Sequence, residues 1–274
     1  MTDASQDAPQ PELVDAVPVG PLETVVDDEG LRAAIERLRA GSGPIGVDAE
    51  RANGFRYSSR AYLVQLYRRG SGTVLLDPLG ITAWSELQDA IGGEEWVLHA
   101  ASQDLPCLRE LGLEPATLFD TELGARLAGY ERVGLAAVVE RLLGIRLAKE
   151  HAASDWSKRP IEPALLAYAA LDVELIVDLR DALAADLERQ GKTEIARQEF
   201  EAARTRLPKP PAAEPWRRLS GLHQVKDRRT LAIARALWMA RDAYAREIDG
   251  APGRLMPDSA LMAAATSGAR TKAQ

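Results

Sequence analysis

Apolar residues in the first hundred positions fall into short runs bounded by turn residues, which is the pattern of β-strands. Between these runs, residues 27–41 and 83–91 show the spacing of amphipathic helices. After residue 99 the helical pattern continues almost to the end of the chain. A strand meander followed by alternating strands and helices predicts a mixed α/β sheet flanked by helices. The predicted strands are Leu22–Val26, Pro44–Glu50, Ala61–Tyr67, Thr73–Pro78 and Trp96–His99.

The sequence divides into four segments of different composition. Residues 1–20 lack periodicity and are rich in Pro, Asp, Gln and Ala, so they predict a disordered tail. Residues 21–207 hold the α/β pattern, residues 208–214 form a Pro-containing linker, and residues 215–274 predict a small all-α domain. The helices predicted in this last segment are Asp227–Ile248 and Leu255–Ala265.

Charge is distributed unevenly along the chain. The formal net charge of −7 argues against a polyanionic partner for the protein as a whole. Residues 209–274, however, contain twelve Lys/Arg and six Asp/Glu, so this segment carries +6 and residues 1–208 carry −13. A basic module joined to an acidic one indicates divided tasks, with the basic module suited to binding phosphate.

The single cysteine, Cys107, excludes an internal disulfide framework and favours a reducing compartment, so we expect a cytoplasmic protein. Cys107 lies in an apolar helical run, where a core position is a simpler interpretation than a nucleophile. No run approaches the roughly 20 apolar residues of a membrane span, and the acidic N-terminus has no signal-peptide pattern. We therefore expect no membrane partner, and the sequence implies no protein partner.

Two carboxylates end the second predicted strand. Asp48 and Glu50 project to one face of that strand, while Ala49 projects to the other. Side by side in a cleft, the two carboxylates repel each other and lose hydration, and a bound divalent cation offsets both effects. For this motif taken alone, a strand that frays into an exposed acidic loop remains the alternative.

Two further acidic positions occur in comparable settings. Asp104 begins a predicted helix just after the strand that ends at His99, where capping of the helix is the alternative role and His99 is more typical of hydrogen-bonded core than of a metal ligand. Tyr168 and Asp172 are four residues apart, so they share one face of a helix that Pro163 starts. Tyr168 alone would be an amphipathic core residue, but beside Asp172 it is a candidate for positioning a water molecule.

Four carboxylates without a Cys/His cluster favour hard cations such as Mg²⁺ or Mn²⁺. Two such ions about 3.5–4 Å apart can support in-line displacement at phosphorus. The sequence therefore predicts two divalent cations, either Mg²⁺ or Mn²⁺. The candidate ligands are Asp48, Glu50, Asp104 and Asp172.

The order and context of these motifs resemble the three exonuclease motifs of the DEDDy-type 3′–5′ exonucleases, and the wider sequence is similar to the ribonuclease D family. The resemblance spans roughly Leu22 to Phe200 and implies an RNase H-like fold for the mixed sheet. The segments that carry it are Asp48–Glu50, His99–Asp104, Phe119–Thr121, Gly134–Ala136, Ser154–Pro160 and Tyr168–Asp172.

A second resemblance follows the linker. Trp216–Leu219 and the long predicted helix are similar to the start of the helicase-and-RNase-D C-terminal (HRDC) domain, which is a helical nucleic-acid-binding module. The segment is short of that domain's final helices.

The resemblance also implies a role for each motif residue. Asp48, Glu50 and Asp172 would hold the catalytic ions, with Asp48 bridging both, and Asp104 would hold the second ion largely through water. Tyr168 would orient the attacking water and assist its deprotonation.

Two positions near these motifs bear on activity. The related histidine subfamily has its histidine five positions before the last Asp, where this chain has Ala167, so the tyrosine type is indicated. Ala49 replaces the usual Thr without changing a ligand, and activity is expected to survive.

Nucleic-acid contacts are predicted in three places: a loop after the first motif, the segment before the tyrosine helix, and a basic cluster in the C-terminal module. For each of them, solvated or capping charge is the alternative interpretation. The candidate residues are Phe55, Arg56, Tyr57, Arg60, Trp156, Lys158, Arg159, Arg217, Arg218, Lys226, Arg228 and Arg229.

Together these features predict a metal-dependent 3′–5′ exoribonuclease that releases 5′-mononucleotides from structured, tRNA precursor-like RNA 3′ ends. A DNA 3′–5′ exonuclease is the alternative with the same chemistry, because no decisive reader of the 2′-hydroxyl is evident. A catalytically silent nucleic-acid-binding scaffold is the alternative from another class. A dinucleotide-binding oxidoreductase is excluded, since no G-x-G-x-x-G follows a predicted strand.

Overall fold

The computed structural model describes residues 12–14, 22–147, 154–208, 210 and 212–268, with backbone alone for residues 12–14. The chain forms two compact units. The first contains the chain up to Arg51 and Arg60–Arg206, and the second contains Ala52–Ser59 and the chain from Leu207 onward. A segment that the sequence assigns to the α/β domain therefore belongs to the second unit.

The first unit is built on a six-stranded mixed sheet, which confirms the predicted fold class. The middle of the sheet is an antiparallel meander, and the parallel strands lie on both sides of it. In sheet order, the strands are β2 (Thr24–Val25), β5 (Gly72–Leu76), β4 (Ala61–Arg69), β3 (Ser42–Arg51), β6 (Glu95–Leu98) and β7 (Thr117–Asp120).

Helices cover both faces of this sheet. Asp27 caps the first helix by accepting a hydrogen bond from the Gly30 backbone N–H, as its position before an apolar helical run predicts. The helices are α1 (Asp28–Ala40), α2 (Trp84–Ile91), α3 (Leu105–Glu110), α4 (Thr121–Leu127), α5 (Leu135–Leu143), α6 (Pro163–Arg189) and α7 (Thr193–Thr205).

The alternation of side chains along β3 divides the core in two. Ile45 and Val47 are buried in a cluster with α1 and α2 on one face of the sheet. On the other face α6 packs against β3, β4 and β5, and its residues Ile176 and Leu183 are buried in a second cluster with Phe119. Asp48 and Glu50 project to the same face as α6, because they alternate with the residues of the first cluster.

Three short strands were not predicted. Residues 117–120 form β7, and Glu12–Val14 (β1) pairs in parallel with Ile145–Leu147 (β8). The prediction of a disordered tail is therefore wrong for residues 12–14, and the rest of residues 1–20 lies outside the described residues. Strands of three or four residues are too short to show an alternating pattern in the sequence.

The second unit is helical, with a small core built on Trp216, Leu222, Ala234 and Leu261. The helix predicted over Leu255–Ala265 begins at Asp258, just after Pro257, and Pro252–Leu255 form a separate short helix that was not predicted. The helices are α8 (Arg228–Glu247), α9 (Pro252–Leu255) and α10 (Asp258–Thr266), preceded by two 3₁₀ turns. Of the predicted linker, Lys209 and Pro211 lie outside the described residues.

No helix in the described part of the chain is long and apolar enough to cross a membrane.

Candidate metal centre and active-site cavity

Carboxylates from β3 and α6 meet at one edge of the sheet. Asp48 and Glu50 come from the end of β3, and Asp172 comes from the third turn of α6. One carboxylate oxygen from each lies within 4.8 Å of the other two. Positions 122 and 124 residues apart along the sequence therefore form a single cluster with Asp172.

A glycine on β3 allows this meeting. At Gly46 the backbone of α6 comes so close that a β-carbon would lie 2.6 Å from the Val173 carbonyl oxygen. Any side chain at this position would push the helix away from the strand. Because Val173 directly follows Asp172, this close approach determines the distance between Asp172 and the two carboxylates of β3.

The three clustered carboxyl groups are held in an environment that disfavours their charge. Burial, and then the negative charge of Asp48, raise the pKa of Asp172 from 3.8 to about 8. The pKa of Glu50 is raised by burial and by Asp48, Asp172 and Asp104, and the pKa of Asp48 is raised mainly by burial. Three oxygen donors that repel one another this strongly fit a hard divalent cation, which would neutralise them.

Asp104 lies beside this cluster without being part of it. Its side chain is 7% exposed, and one of its oxygens lies 3.4 Å from an Arg51 guanidinium nitrogen. Burial and the charge of Asp48 raise the pKa of Asp104 well above its usual value, while Arg51 lowers it. Although Asp104 occupies the N-terminal position of α3, its carboxylate makes no capping hydrogen bond. The alternative of a helix cap is therefore wrong.

A second buried aspartate shapes the turn that leads to Asp104. The Asp120 carboxylate accepts hydrogen bonds from the backbone N–H groups of Ala100 and Ala101, at 3.1 and 2.9 Å. It also caps α4. Ala100 has φ of 61°, a left-handed conformation that is uncommon for a residue with a side chain and that is found at functional sites.

Tyr168 faces the same carboxylates one turn before Asp172. Its hydroxyl group is hydrogen-bonded to Asp172, and burial together with the neighbouring negative charges raises the pKa of the phenol. The phenol is therefore protonated at neutral pH. Its oxygen retains lone pairs that can accept a hydrogen bond from a water molecule.

His99 lines the same cavity but is not one of the three clustered ligands. Its Nδ1 atom lies 2.8 Å from the Thr121 hydroxyl oxygen, and burial lowers the pKa of the imidazole to about 4. This finding agrees with the prediction of a hydrogen-bonded core residue. Cys107 is also buried, and burial raises the pKa of its thiol to about 12, as expected for an inert core thiol.

All of the predicted catalytic residues line one cavity of about 240 Å³. β3 contributes Asp48 and Glu50 to the lining, α6 contributes Tyr168 and Asp172, and Asp104 comes from the start of α3. The structure thus brings the five residues together. Arg51 was missed in the sequence, because nothing in a single arginine marks a function. Asp120 was noted only within Phe119–Thr121, a segment of the family resemblance, and no role was predicted for it.

The loop after the first motif is part of the second unit. The Tyr57 hydroxyl group donates to Asp242 at 3.1 Å, and Arg254 lies over the Phe55 ring at 3.9 Å. Arg56 is exposed. In the first unit, the Arg60 guanidinium lies 4.9 Å from the centre of the Tyr62 ring. To contact nucleic acid as predicted, the side chains of Phe55 and Tyr57 would have to give up or share these contacts within the protein.

The segment before α6 requires two corrections. Trp156 is only 1% exposed, so it is a core residue and not a contact for nucleic acid. Arg159 forms a two-pronged ion pair with Asp77 and also donates to the Tyr62 and Trp156 carbonyl oxygens. Its donors are used within the protein, so its role is structural. Lys158 is exposed, and its phosphate contact stays a prediction.

The predicted basic residues of the second unit all lie at its surface. Arg217 forms an ion pair with Glu214 at 2.5 Å. The exposed members are Arg217, Arg218, Lys226, Arg228 and Arg229.

Comparison with known proteins agrees with this geometry. A family model described as 3′–5′ exonuclease matches residues 22–188. Ribonuclease D of Gluconacetobacter diazotrophicus is 32% identical over 249 residues, which cover 87% of this chain and 61% of that protein. The chain thus spans about three fifths of the length of this curated relative.

Two solved structures extend the comparison. A protein from Bifidobacterium adolescentis is 44% identical and superposes with a TM-score of 0.90 over 93% of this chain and 63% of that chain. Ribonuclease D of Escherichia coli, described as an exoribonuclease involved in structured RNA processing, is 31% identical. It superposes with a TM-score of 0.68 over 89% of this chain and 66% of that chain.

Proposed function

Because the chain belongs to the 3′–5′ exonuclease family, we propose that it is a metal-dependent 3′–5′ exoribonuclease that hydrolyses RNA 3′ ends to 5′-mononucleotides. The observation that carries this proposal is the cluster of Asp48, Glu50 and Asp172, whose carboxylate oxygens lie within 4.8 Å of one another in a cavity. A cluster that is unfavourable by itself becomes favourable when it binds divalent cations.

In this proposal Asp48, Glu50 and Asp172 hold the cations, and Asp104 completes the site through water. Two Mg²⁺ or Mn²⁺ ions would supply activation of water and stabilisation of the leaving oxygen. Arg51, with one guanidinium nitrogen 3.4 Å from the Asp104 carboxylate, offsets part of the negative charge of the site.

Tyr168 acts by orientation. Its O–H is committed to Asp172, so its oxygen can accept a hydrogen bond from the attacking water and direct the water toward the phosphorus atom. Without bound cations, burial and the negative charges of Asp172 and Glu50 raise the pKa of the phenol, so Tyr168 keeps its proton in the metal-free protein.

RNA with a structured, tRNA precursor-like 3′ end is the proposed substrate. Support comes from the similarity to ribonuclease D and from the described action of the Escherichia coli relative on structured RNA. The exposed arginines and lysine of the second unit, which is proposed to be HRDC-like, would bind phosphates upstream of the cleaved end. A reducing cytoplasm is the proposed location, since the single cysteine is a free thiol.

The decisive experiment incubates the protein with a 3′-tailed tRNA and a DNA of matching sequence, each with Mn²⁺, Mg²⁺ or EDTA. We expect a ladder of shortened RNA and released 5′-mononucleotides with either metal, and no products with EDTA. Asp48→Asn is the matched control, which should bind RNA and cleave nothing. Products from DNA alone would contradict the substrate, and cleavage by Asp48→Asn at the normal rate would contradict the assignment of the ligands.

A further inference from the structure

Gln65 is the one side chain among the described buried residues that has both amide atoms without a hydrogen-bond partner. It lies in the middle of β4 and is 0% exposed. A buried amide that makes no hydrogen bond is costly, and such a group in a folded protein calls for an explanation. An apolar residue would fill the same space without this cost.

The register of the sheet identifies the neighbour of Gln65. β3 and β4 are antiparallel, and Gln65 is directly opposite Asp48 in the pairing of the two strands. Directly opposite residues project to the same face with β-carbons about 4.5–5.5 Å apart. The longer side chain of Gln65 therefore ends within reach of the Asp48 carboxylate.

The nearest strand neighbours of Gln65 on that face are apolar on two sides. Opposite Gln65 on its other side is Leu75 of β5, and two residues before it on β4 is Leu63. α6, which packs on this face, carries the apolar residues Ala169 and Val173, and its polar pair Tyr168 and Asp172 is joined by a hydrogen bond. The Thr73 hydroxyl on the same face is already hydrogen-bonded to Glu174.

Asp48 in turn has room for another donor. The Ala49 backbone N–H donates to its carboxylate, and the two oxygens of a carboxylate offer about four acceptor sites in all. A carboxylate that binds cations must keep a fixed orientation. Neighbouring residues that hydrogen-bond to the ligand, without touching the metal, commonly fix this orientation. A side-chain amide donating to an ionised carboxylate makes a strong, charge-assisted hydrogen bond.

We propose that Gln65 is a positioning residue for Asp48: its amide N–H donates to the Asp48 carboxylate when a divalent cation is bound, and so fixes the ligand's orientation. This inference rests on the proposed function, because it requires the metal centre. Gln65 touches neither cation nor RNA and acts through Asp48.

The test compares Gln65→Met, which keeps the length of the side chain but removes the amide, with Leu63→Met as a packing control on the same strand and face. Calorimetric titration gives the Kd for Mn²⁺, and thermal unfolding without metal gives the apo Tm. We expect Gln65→Met to raise the Kd for Mn²⁺ by about 10–100-fold, with an unchanged or higher apo Tm. Saturating Mn²⁺ should restore kcat, with the KM for RNA unchanged.

The outcomes separate this inference from the proposed function. A Kd for Mn²⁺ within twofold of the wild-type value in Gln65→Met would overturn the inference alone, whatever its Tm. Equal weakening in Leu63→Met would assign the effect to packing and would overturn it too. Gln65→Leu repeats the test if Gln65→Met does not fold. Absence of saturable Mn²⁺ binding in the wild type, or unchanged binding in Asp48→Asn, would overturn the metal centre and the inference together.

Discussion

The carbonyl oxygen of Val173 lies 2.6 Å from the position that a β-carbon on Gly46 would occupy. No pair of real atoms of these types approaches so closely, so the strand and the helix can meet at this distance only if residue 46 has no side chain. The distance between Asp172 and the carboxylates of β3 therefore depends on the contact between the backbones of Gly46 and Val173.

Gly46→Ala should therefore separate α6 from β3. We expect a loss of about 1–3 kcal/mol in the free energy of unfolding from overpacking. Displacement of Asp172 by even about 1 Å should lower the rate of RNA hydrolysis by roughly 100-fold. Gly93→Ala is the matched control, because a β-carbon there meets nothing within 4 Å. Denaturant unfolding and initial rates measure the two effects, and full activity in Gly46→Ala would disprove the spacing argument.

The stability of the metal-free protein should depend on pH through Asp172. The pKa of Asp172 is raised to about 8 in the folded protein, above the usual 3.8. Its favourable contribution to the free energy of unfolding is therefore complete near pH 4 and is lost as the pH rises through 8. This group alone should change the free energy of unfolding by about 1.4 kcal/mol per pH unit within that window.

Thermal unfolding at pH 6 and pH 8, with and without Mg²⁺, measures this effect. The metal-free protein should be less stable at pH 8, and Mg²⁺ should remove much of the difference. Asp172→Asn should reduce the dependence without abolishing it, because the pKa values of Asp48 and Glu50 are raised to about 6 and about 9. Glu188→Gln, an exposed position on the same helix, should keep the wild-type profile. A metal-free protein that is more stable at pH 8 than at pH 6 would rule out this account.

Arg159 and Lys158 are neighbours with different expected roles. Arg159→Met leaves Asp77, whose side chain is 9% exposed, without its ion-pair partner. We expect a loss of about 2–4 kcal/mol in the free energy of unfolding, at the lower end of the range for buried pairs because Arg159 is partly exposed. Lys158→Met should leave the Tm unchanged. If Arg159→Met had a normal Tm but bound RNA more weakly, the structural role would be contradicted and the predicted phosphate contact of Arg159 would be supported.

Arg228 and Arg229, exposed in the first turn of α8, are candidates for phosphate contacts. If both contact phosphates of single-stranded RNA, their joint replacement by Gln should reduce the slope of log K against log salt concentration by about 1.4. Arg197→Gln, in an exposed ion pair of the first unit, should not alter the slope. Fluorescence anisotropy measures the RNA affinity of each variant at salt concentrations between roughly 50 and 200 mM, which gives the slopes to be compared. Equal slopes in all variants would exclude this surface.

The sequence predicts what depends on local periodicity. Alternation along β3 brings Asp48 and Glu50 to one face, and the spacing of Tyr168 and Asp172 brings them to one face of a helix. Both expectations agree with the structure. The positions that were predicted wrongly or missed depend instead on distant partners: Arg159 pairs with a residue 82 positions away, and Trp156 is covered by residues that no local pattern identifies.

The same limit explains the loop after the first motif. Phe55 and Tyr57 suggest stacking on a nucleotide when they are considered with their sequence neighbours. Their actual partners, Asp242 and Arg254, are nearly 200 residues further along the chain. Gly46 is a comparable case, because a glycine in a strand indicates a close approach without identifying what approaches.

The inclusion of Ala52–Ser59 in the second unit has a topological consequence. The polypeptide enters that unit after Arg51, leaves it before Arg60 and returns at Leu207, so the two units are joined by three peptide crossings. A protease that cut near residue 207 would nick the protein without releasing a fragment, as long as the contacts of Tyr57 and Ser58 with α8 and Asp249 hold. Grafting the second unit onto another nuclease would require two inserted pieces, because neither piece contains the whole unit.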